Sequence, residues 1–216
     1  MRPIFTLLVG VVAMVCTGCE VDDTELTNHK TYTLYEEISA LEISNGVDVI
    51  VDDALPHDQV YALTNAKNFN RLSVEVIDGT LHIGVSTYTA IFGLKRCLVY
   101  VPSVAYERVA LKGGSDFSWD GCNSDVLSIS VSGGSDCYIK GVAQKLSIDS
   151  SGGADTKCGE LEAEDVTINA SGGSDIDAVA NSTLSLTASG GADIHIKGNP
   201  QIVHWDVSGG ADVEFN

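Results

Sequence analysis

The tetrad Gly-Gly-[Ser/Ala]-Asp occurs six times in the second half of this chain, and its regular spacing constrains the fold more than any other feature. Successive copies lie 20, 19, 20, 18 and 19 residues apart. A fixed period of this length marks a supersecondary unit that cannot bury its own apolar face, so the units must stack on one another. The copies end at Asp116, Asp136, Asp155, Asp175, Asp193 and Asp212.

Each repeat contains two short segments with the alternation typical of β-strands. Counted from the tetrad aspartate, positions +1, +3, −7 and −9 are mostly apolar, whereas −8 is mostly Ser, Thr, Arg or His. The pattern predicts an all-β parallel β-helix with about 19 residues per coil. We prefer a right-handed winding, because the strict six-residue apolar repeat of the left-handed class is absent. Outward position +2 holds Ser118, Tyr138, Lys157, Asp177, His195 and Glu214.

The tetrad fits a tight corner between two strands. Paired glycines allow positive φ and close backbone approach, the preceding Ser can bond to the turned backbone, and Asp can accept main-chain N–H groups. Stacking would place the aspartates in a ladder, where repulsion is on the order of 1 kcal/mol per neighbour. Backbone or Ser donors could offset it, or bound Ca²⁺ could, and no other cofactor is predicted. The predicted corner ladder is Asp48, Asp116, Asp136, Asp155, Asp175, Asp193 and Asp212.

The first half of the chain has a looser pattern. Residues 44–48 form a degenerate copy of the repeat motif, which is why Asp48 joins the ladder, and Asp78-Gly79 predicts a hairpin turn. We therefore expect one β-helical domain over residues 35–216, with irregular coils in 35–111 and regular repeats in 112–216. Strands are predicted at residues 41–43, 47–51, 59–63, 72–76, 81–85 and 98–101.

The N-terminus is typical of an exported lipoprotein. Residues 1–18 form a signal peptide whose apolar stretch, residues 4–15, is shorter than the roughly 20 residues of a membrane span. Thr17-Gly18-Cys19 resembles a lipobox, which predicts acylation of Cys19 and a membrane anchor; ordinary cleavage leaving a free thiol is the alternative. Residues 19–34 read as a polar tether. Its acidic start, residues 20–23, resembles a Bacteroidetes surface-export signal, although a plain tether explains it too.

Charge and cysteine usage exclude several classes of function. Removal of the signal takes Arg2 with it, leaving 11 basic against 30 acidic residues and a formal charge of −19. Such a surface repels phosphate backbones, so we expect no nucleic-acid partner. Cys137 and Cys158 lie at +1 and +3 of consecutive repeats, a diagonal arrangement that disfavours a disulfide. We expect the four cysteines of the domain, Cys97, Cys122, Cys137 and Cys158, to be small buried apolar residues.

The combination of motifs resembles the head GIN domain family. Residues 38–49, residues 78–83, Tyr100-Val101-Pro102 and the repeated Ser-Gly-Gly-[Ser/Ala]-Asp carry the resemblance, which covers about residues 35 to 216. The family is named a "putative autotransporter adhesin". The resemblance implies an exported β-helical domain, often lipid-anchored and common in Bacteroidetes, at the outer membrane or cell surface. It supplies no catalytic residues.

Three functions follow from these features. The first is a non-enzymatic module that binds a glycan or a protein through a surface ladder formed by Tyr138, Lys157, Asp177 and His195, although a plain solvated face explains the same residues. The second is a polysaccharide-active enzyme, which is disfavoured because Arg108 is the one arginine within the repeats.

The third is a structural role through self-association. The last coil exposes unpaired strand edges, which invite pairing with another chain or shielding by first-half strands of a neighbour.

Overall fold

The computed structural model describes residue 26 and residues 28–64, 70–86 and 97–216. The predicted signal peptide, Cys19 and the acidic cluster lie outside these residues. All regular structure in the described part is β-strand. The strands are β1 (Asn28–Thr33), β2 (Ala40–Ser44), β3 (Val47–Asp52), β4 (Gln59–Thr64), β5 (Leu72–Ile77), β6 (Thr80–Val85), β7 (Cys97–Pro102), β8 (Arg108–Lys112), β9 (Asp116–Gly133), β10 (Asp136–Gly152), β11 (Asp155–Gly172), β12 (Asp175–Val179), β13 (Thr183–Ala188), β14 (Asp193–Lys197), β15 (Gln201–Val207) and β16 (Asp212–Phe215).

The strands stack in two series, and we call the series that follows the Gly-Gly corners the front face. From one end to the other it consists of β1, β4, β7, β3, the first parts of β9, β10 and β11, then β12, β14 and β16. The back face consists of β5, β6, β2, β8, the last parts of β9 to β11, then β13 and β15. The coils are parallel and about 20 residues apart over about five turns, which confirms the predicted β-solenoid. Its handedness stays a prediction.

The core runs along the solenoid axis and is built from the predicted inward positions. At position −7, Ile129, Ile148, Ile168 and Leu186 are fully buried. The exception is the last coil, where a register shift between β13 and β15 sets Ile202 opposite Leu184. Val203, expected inward at −9, has no partner in this register and is 58% exposed. Residues 201–206 of β15 are all exposed, so the bulge changes the register, which the repeat period alone does not reveal, but does not account for all of this exposure.

The corners depend on the first glycine of each pair. Gly133, Gly152, Gly172, Gly190 and Gly209 have φ between 72° and 85°, whereas their second glycines are outside the left-handed region. A Cβ added to these first glycines would lie between 2.7 and 3.2 Å from the corner backbone of the preceding coil. The first glycine of each pair is therefore required on steric grounds. In these five copies the second glycine has a backbone conformation that other residues also adopt.

Backbone hydrogen bonds continue around the corner from coil to coil. The second glycine donates its N–H to the first glycine of the coil before, as from Gly173 to Gly152 O at 2.7 Å and from Gly191 to Gly172 O at 2.6 Å. The third tetrad residue points inward, and Ser135, Ala154 and Ser174 are fully buried there. Its small size is required because it fills the core beside the corner.

The first half forms coils whose order in space differs from their order in sequence. The β2–β3 coil lies between the β6–β7 pair and the β8–β9 coil. Its corner contains Asn45 at φ 62° and Gly46 at φ 74°. Its register sets Val49 opposite Phe117, so that Asp48 and Asp116 both lie one residue before this pair. All six predicted strands of this half are present.

Three antiparallel pairings at this end complete the fold. β5 pairs with β6 across the predicted hairpin turn, where Asp78 and Gly79 have φ of 49° and 72°. β4 pairs with β7, and β1 pairs with β4. β1 lies inside the segment interpreted as a polar tether, so residues 28–33 belong to the sheet. We call this end, formed by β1, β4 and β5, the head.

The four cysteines in the described part of the chain, Cys97, Cys122, Cys137 and Cys158, are free and buried, as expected. Burial raises the pKa of the Cys97 thiol to about 11 and is also the main cause of the raised pKa of Cys122. Burial likewise raises the pKa of Cys137 and Cys158. Because the thiolate is the reactive form, all four are chemically protected in the folded chain.

We predict that a thiol reagent modifies none of these four cysteines in the native protein and all four in denaturant, as counted by mass spectrometry. One reactive thiol in the native mature protein, mapped to Cys19, would show that this residue is not acylated. Native reaction at Cys137 or Cys158 would contradict the packing described here.

Gly190 and Gly191 provide a matched pair of substitutions at one corner. A Cβ on Gly190 would lie 2.7 Å from Gly172 O at a φ of 80°, whereas on Gly191 it would lie 3.8 Å from that atom. Gly190→Ala should lower the free energy of unfolding by about 1–3 kcal/mol through backbone strain. Gly191→Ala should stay within about 1 kcal/mol of the parent. Equal losses in urea unfolding would show that the corner does not depend on the first glycine.

Candidate functional site

The four residues of the predicted surface ladder lie in one row on the front face. β-Register aligns Tyr138 with Lys157, Lys157 with Asp177, and Asp177 with His195. Ser118 and Glu214 continue the row at its two ends. Neighbouring parallel strands lie about 4.8 Å apart, so the row presents one side chain at each step along the solenoid axis.

The centre of the row is held by contacts between neighbouring coils. The Tyr138 hydroxyl donates to Glu160 Oε1 at 3.0 Å, and Lys140 Nζ lies 3.2 Å from Glu160 Oε2. The same ammonium group lies 5.1 Å from the centre of the Tyr138 ring, within cation–π range. These contacts hold the Tyr138 ring in place. Binding of a ligand to this ring would therefore cost less side-chain rotamer entropy.

At the end of the row, His195 lies between two carboxylates. His195 Nδ1 is 3.5 Å from Asp177 Oδ1, and its Nε2 is 3.6 Å from Glu214 Oε2. All three side chains are about half exposed. This arrangement orients the imidazole between two carboxylates, so that its ring stands out from the sheet.

Sequence reasoning missed an aromatic extension of the row towards the head. Ile50 is in register with Ser118 and with Tyr100, and Tyr100 is in register with Tyr61. The Tyr61 and Tyr100 rings are 6.2 Å apart, and His29 stacks on Tyr61 at 5.7 Å. Antiparallel pairing of β4 with β7 brings these rings together, and no repeat motif signals that pairing.

Strand register aligns the tetrad aspartates of the predicted corner ladder. Asp116, Asp136, Asp155, Asp175, Asp193 and Asp212 are in register from coil to coil. For the five aspartates from Asp136 to Asp212, the structure describes one hydrogen bond from the backbone to a carboxylate. The Val213 N–H donates it to Asp212 Oδ1 at 2.9 Å. Partial burial, followed by the charge of Asp155, raises the pKa of Asp136. At Asp136 the ladder thus keeps an unfavourable interaction, which the nearby Lys157 partly offsets.

The geometry of the ladder bears on the calcium alternative. Among residues 28–64, 70–86 and 97–216 there is no group of three or more His, Cys, Asp or Glu side chains placed to hold a metal ion. Consecutive carboxylates in the ladder are separated by a full strand spacing, so they are arranged in a line rather than around one point.

The back face carries a second, hydroxyl-rich surface. The predicted −8 row aligns Ser128, Ser147, Thr167 and Ser185, and it ends at Arg108 and His204. The neighbouring −6 row includes Asp149 and Asn169, whose side chains bond at 2.8 Å. Part of this surface is a shallow depression of about 320 Å³. It offers small polar contacts without the aromatic side chains of the front face.

An acid–base cluster lies on the back face near the head, and it bears on the enzyme hypothesis. Glu42 Oε1 accepts a bond from Lys112 Nζ at 3.0 Å, while Glu42 Oε2 lies 3.7 Å from His82 Nδ1. The Lys112 bond is the largest reason why the pKa of Glu42 is lowered. A carboxylate held in its ionised form is a poor general acid at neutral pH. Parallel pairing of β6, β2 and β8 brings these residues together over large sequence separations.

The described part of the chain contains no helix that could span a membrane.

Comparisons with known proteins agree with this architecture. The family model described as "Putative auto-transporter adhesin, head GIN domain" matches residues 37–200. The crystal structure of a "putative adhesin" from Bacteroides fragilis is similar with a TM-score of 0.70 at 18% identity, covering 88% of this chain and 96% of that chain. A "putative lipid binding protein" from Parabacteroides distasonis gives a TM-score of 0.53 at 15% identity, covering 89% and 98%. No curated protein matches the chain in sequence. At these identities the structures share the fold.

Asp136→Asn tests the electrostatics of the aspartate ladder. Because the pKa of folded Asp136 is raised, its ionised form is less stable in the folded chain than in the unfolded chain, and the substitution should raise the melting midpoint at pH 7. The gain should fade as the pH falls through that raised pKa and vanish below the ordinary value of 3.8. Differential scanning calorimetry across this pH range measures it, with Asp125→Asn outside the ladder as the control.

The same calorimetry decides the calcium alternative. A midpoint that rises with CaCl₂, falls with EDTA and drops on Asp136→Asn would show that the ladder binds calcium. A midpoint indifferent to both reagents would remove this alternative.

Proposed function

The chain belongs to the head GIN domain family, and on this basis we propose that it is a non-enzymatic binding module of the bacterial cell envelope. The observation that carries the proposal is the front-face row, in which outward side chains continue in register from Tyr61 through Tyr138 to Glu214. An elongated, open surface of this kind suits an extended ligand better than a small molecule, which needs a concave site.

The chemistry of the row favours a glycan chain or a protein surface as the ligand. Tyr61, Tyr100 and Tyr138 offer aromatic faces on which a sugar ring or an apolar side chain can pack. Lys157, Asp177 and His195 offer both donors and acceptors beyond them. The strongly acidic net charge works against anionic polymers, so we propose a neutral or basic ligand.

Anchoring by lipid would place this surface at the outer membrane. We propose that Cys19 is acylated and that the acidic residues after it direct the domain to the cell surface; a periplasm-facing orientation is the alternative. The nine-residue step from Cys19 to Asn28 spans at most about 32 Å. A domain held by so short a connection works close to the membrane, with its head nearest the anchor.

A polysaccharide-active enzyme is the second candidate, favoured by the Glu42–His82–Lys112 cluster. We rank it below binding because this carboxylate is held ionised by Lys112, whereas glycosidases need one carboxylic acid with a raised pKa. Depolymerisation assays on neutral and acidic glycans decide between the two. Activity abolished by Glu42→Gln would establish the enzyme.

The front-face row can be tested by substitution of its central residues. Replacing Tyr138, Lys157 and His195 together by alanine should weaken binding to glycan arrays or to purified surface proteins at least about tenfold, or about 1.4 kcal/mol. The matched control replaces Ser147, Thr167 and Ser185 on the back face, which should leave affinity unchanged. A loss confined to the control would move the binding surface to the back face.

A further inference from the structure

A small cavity lies on the back face near the head, where β6 pairs with β2 on one side and with β5 on the other. We call this cavity the head pocket, and its volume is about 250 Å³. Its polar lining includes Glu42, Ser44, Ser73 and His82. Sites that enclose drug-sized ligands measure about 300 to 1,000 Å³, so the head pocket takes one small group rather than a large molecule.

Gly84 creates the space at the centre of the head pocket. Strand register places it between Ser44 on β2 and Ser73 on β5, and its φ lies outside the left-handed region. A Cβ on Gly84 would lie 2.5 Å from Ser44 Oγ but 3.6 Å from the nearest backbone atom, Ser44 O. Glycine within a strand often marks close approach by a ligand or by another backbone. Because the backbone here is at an ordinary contact distance, the missing side chain leaves room for a ligand.

Polar side chains surround this space at strand spacing. Register places His82 between Glu42 and Glu75. Glu42 Oε2 lies 3.7 Å from His82 Nδ1, beyond hydrogen-bond distance, so this carboxylate oxygen keeps its capacity to accept. The Ser73 hydroxyl donates to Glu75 Oε1 at 2.9 Å, which leaves the Ser73 oxygen as an acceptor. A ligand with several hydroxyl groups close together fits this set.

The charges around the head pocket balance. Lys112 Nζ lies 3.0 Å from Glu42 Oε1, and Arg108 also acts electrostatically on Glu42. Glu42 and Glu75 supply two negative charges, while Lys112 and Arg108 supply two positive charges. Neither a cation nor an anion therefore gains much Coulomb energy in the pocket. A neutral ligand is favoured because it also leaves the pair of Glu42 with Lys112 intact.

We propose that the head pocket binds one neutral sugar unit, either a free monosaccharide or the end of a glycan chain. Each hydroxyl group of a sugar both donates and accepts hydrogen bonds. Neighbouring hydroxyls of one ring bond to the Glu42 carboxylate and to the Ser44 and Ser73 oxygens, while the edge of the ring enters the space over Gly84. Hydrogen bonds to an ionised acceptor are the stronger ones, so Glu42 is the main anchor. This site lies on the opposite face from the front-face row and binds independently of it.

NMR titration of the isotope-labelled protein tests this proposal. The probes are glucose, galactose, mannose and N-acetylglucosamine, and a ligand of this size on an open site binds with a Kd on the order of 1 mM. The expected result is saturable shifts of amide signals from β2, β5 and β6 with at least one probe. No saturable shift with any probe, or shifts confined to the front face, would overturn the proposal. Monosaccharides have no glycosidic bond to cleave, so the result is independent of any enzymatic activity.

Gly84→Ala fills the head pocket with a methyl group and leaves its charges in place. The fold should tolerate this change, because the clash is with the end of the Ser44 side chain, which can rotate. Sugar binding should weaken at least about tenfold. The matched control is Gly191→Ala, where the added Cβ would lie 3.8 Å from its nearest neighbour, and it should bind sugar as the parent does.

Glu42→Gln provides a second variant that keeps the shape of the pocket and removes its charged acceptor. Binding should again weaken, even where Gly84→Ala fails to fold. Unchanged affinity in Glu42→Gln and in a folded Gly84→Ala would contradict the site.

Analogues of the sugar that binds test the choice of ligand. The corresponding amino sugar carries a positive charge and the corresponding uronic acid a negative one, and both should bind more weakly than the neutral form. Tighter binding of either would overturn the assignment of a neutral ligand. A linear trisaccharide of the same sugar distinguishes the two sources: binding as tight as that of the monosaccharide indicates a glycan end, and weaker binding indicates a free sugar.

Discussion

The rest of the structure depends on how closely one corner backbone lies on the next. At successive corners the second glycine donates to the first glycine of the preceding coil at 2.6 to 2.9 Å in the last four copies. A side chain on the first glycine would occupy the space of that backbone. Because the corner fixes where each turn begins, it also fixes which residue of one coil faces which residue of the next. Register, inward packing and outward rows all follow from this contact.

The same register that stacks leucines and isoleucines in the core also stacks charges on the surface. It cannot place apolar residues in line without aligning the aspartates of the corner. In a parallel solenoid each outward position recurs once in every coil, so the side chains at that position form a row along the axis. In this chain the +2 position escapes a single-sign ladder by varying from Tyr to Lys, Asp and His, whereas the tetrad aspartate does not vary.

Much of the repeat region could be predicted because its period translates directly into three-dimensional register. The burial of Ile148 and Ile168 and the alignment of Tyr138 with Lys157, Asp177 and His195 required only the spacing of the tetrads. The Val203 bulge could not be predicted, since a one-residue shift leaves the apolar composition of β15 unchanged. The aromatic group at Tyr61 and Tyr100, and the Glu42 cluster, depend on pairings between distant strands that lack any shared motif. The role of the four surface-ladder residues stays a prediction.

The displaced β2–β3 coil has a consequence for how the chain acquires its fold. A chain emerging from its N-terminus presents β2 and β3 before the strands that flank them on either side have been made. These two strands must wait for β6 and β7 on one side and for β8 and β9 on the other, so the head closes through loops of several tens of residues, whose entropy slows assembly. The entropic cost of loop closure is therefore larger for the irregular half than for the regular repeats, in which each coil pairs only with its neighbours in sequence.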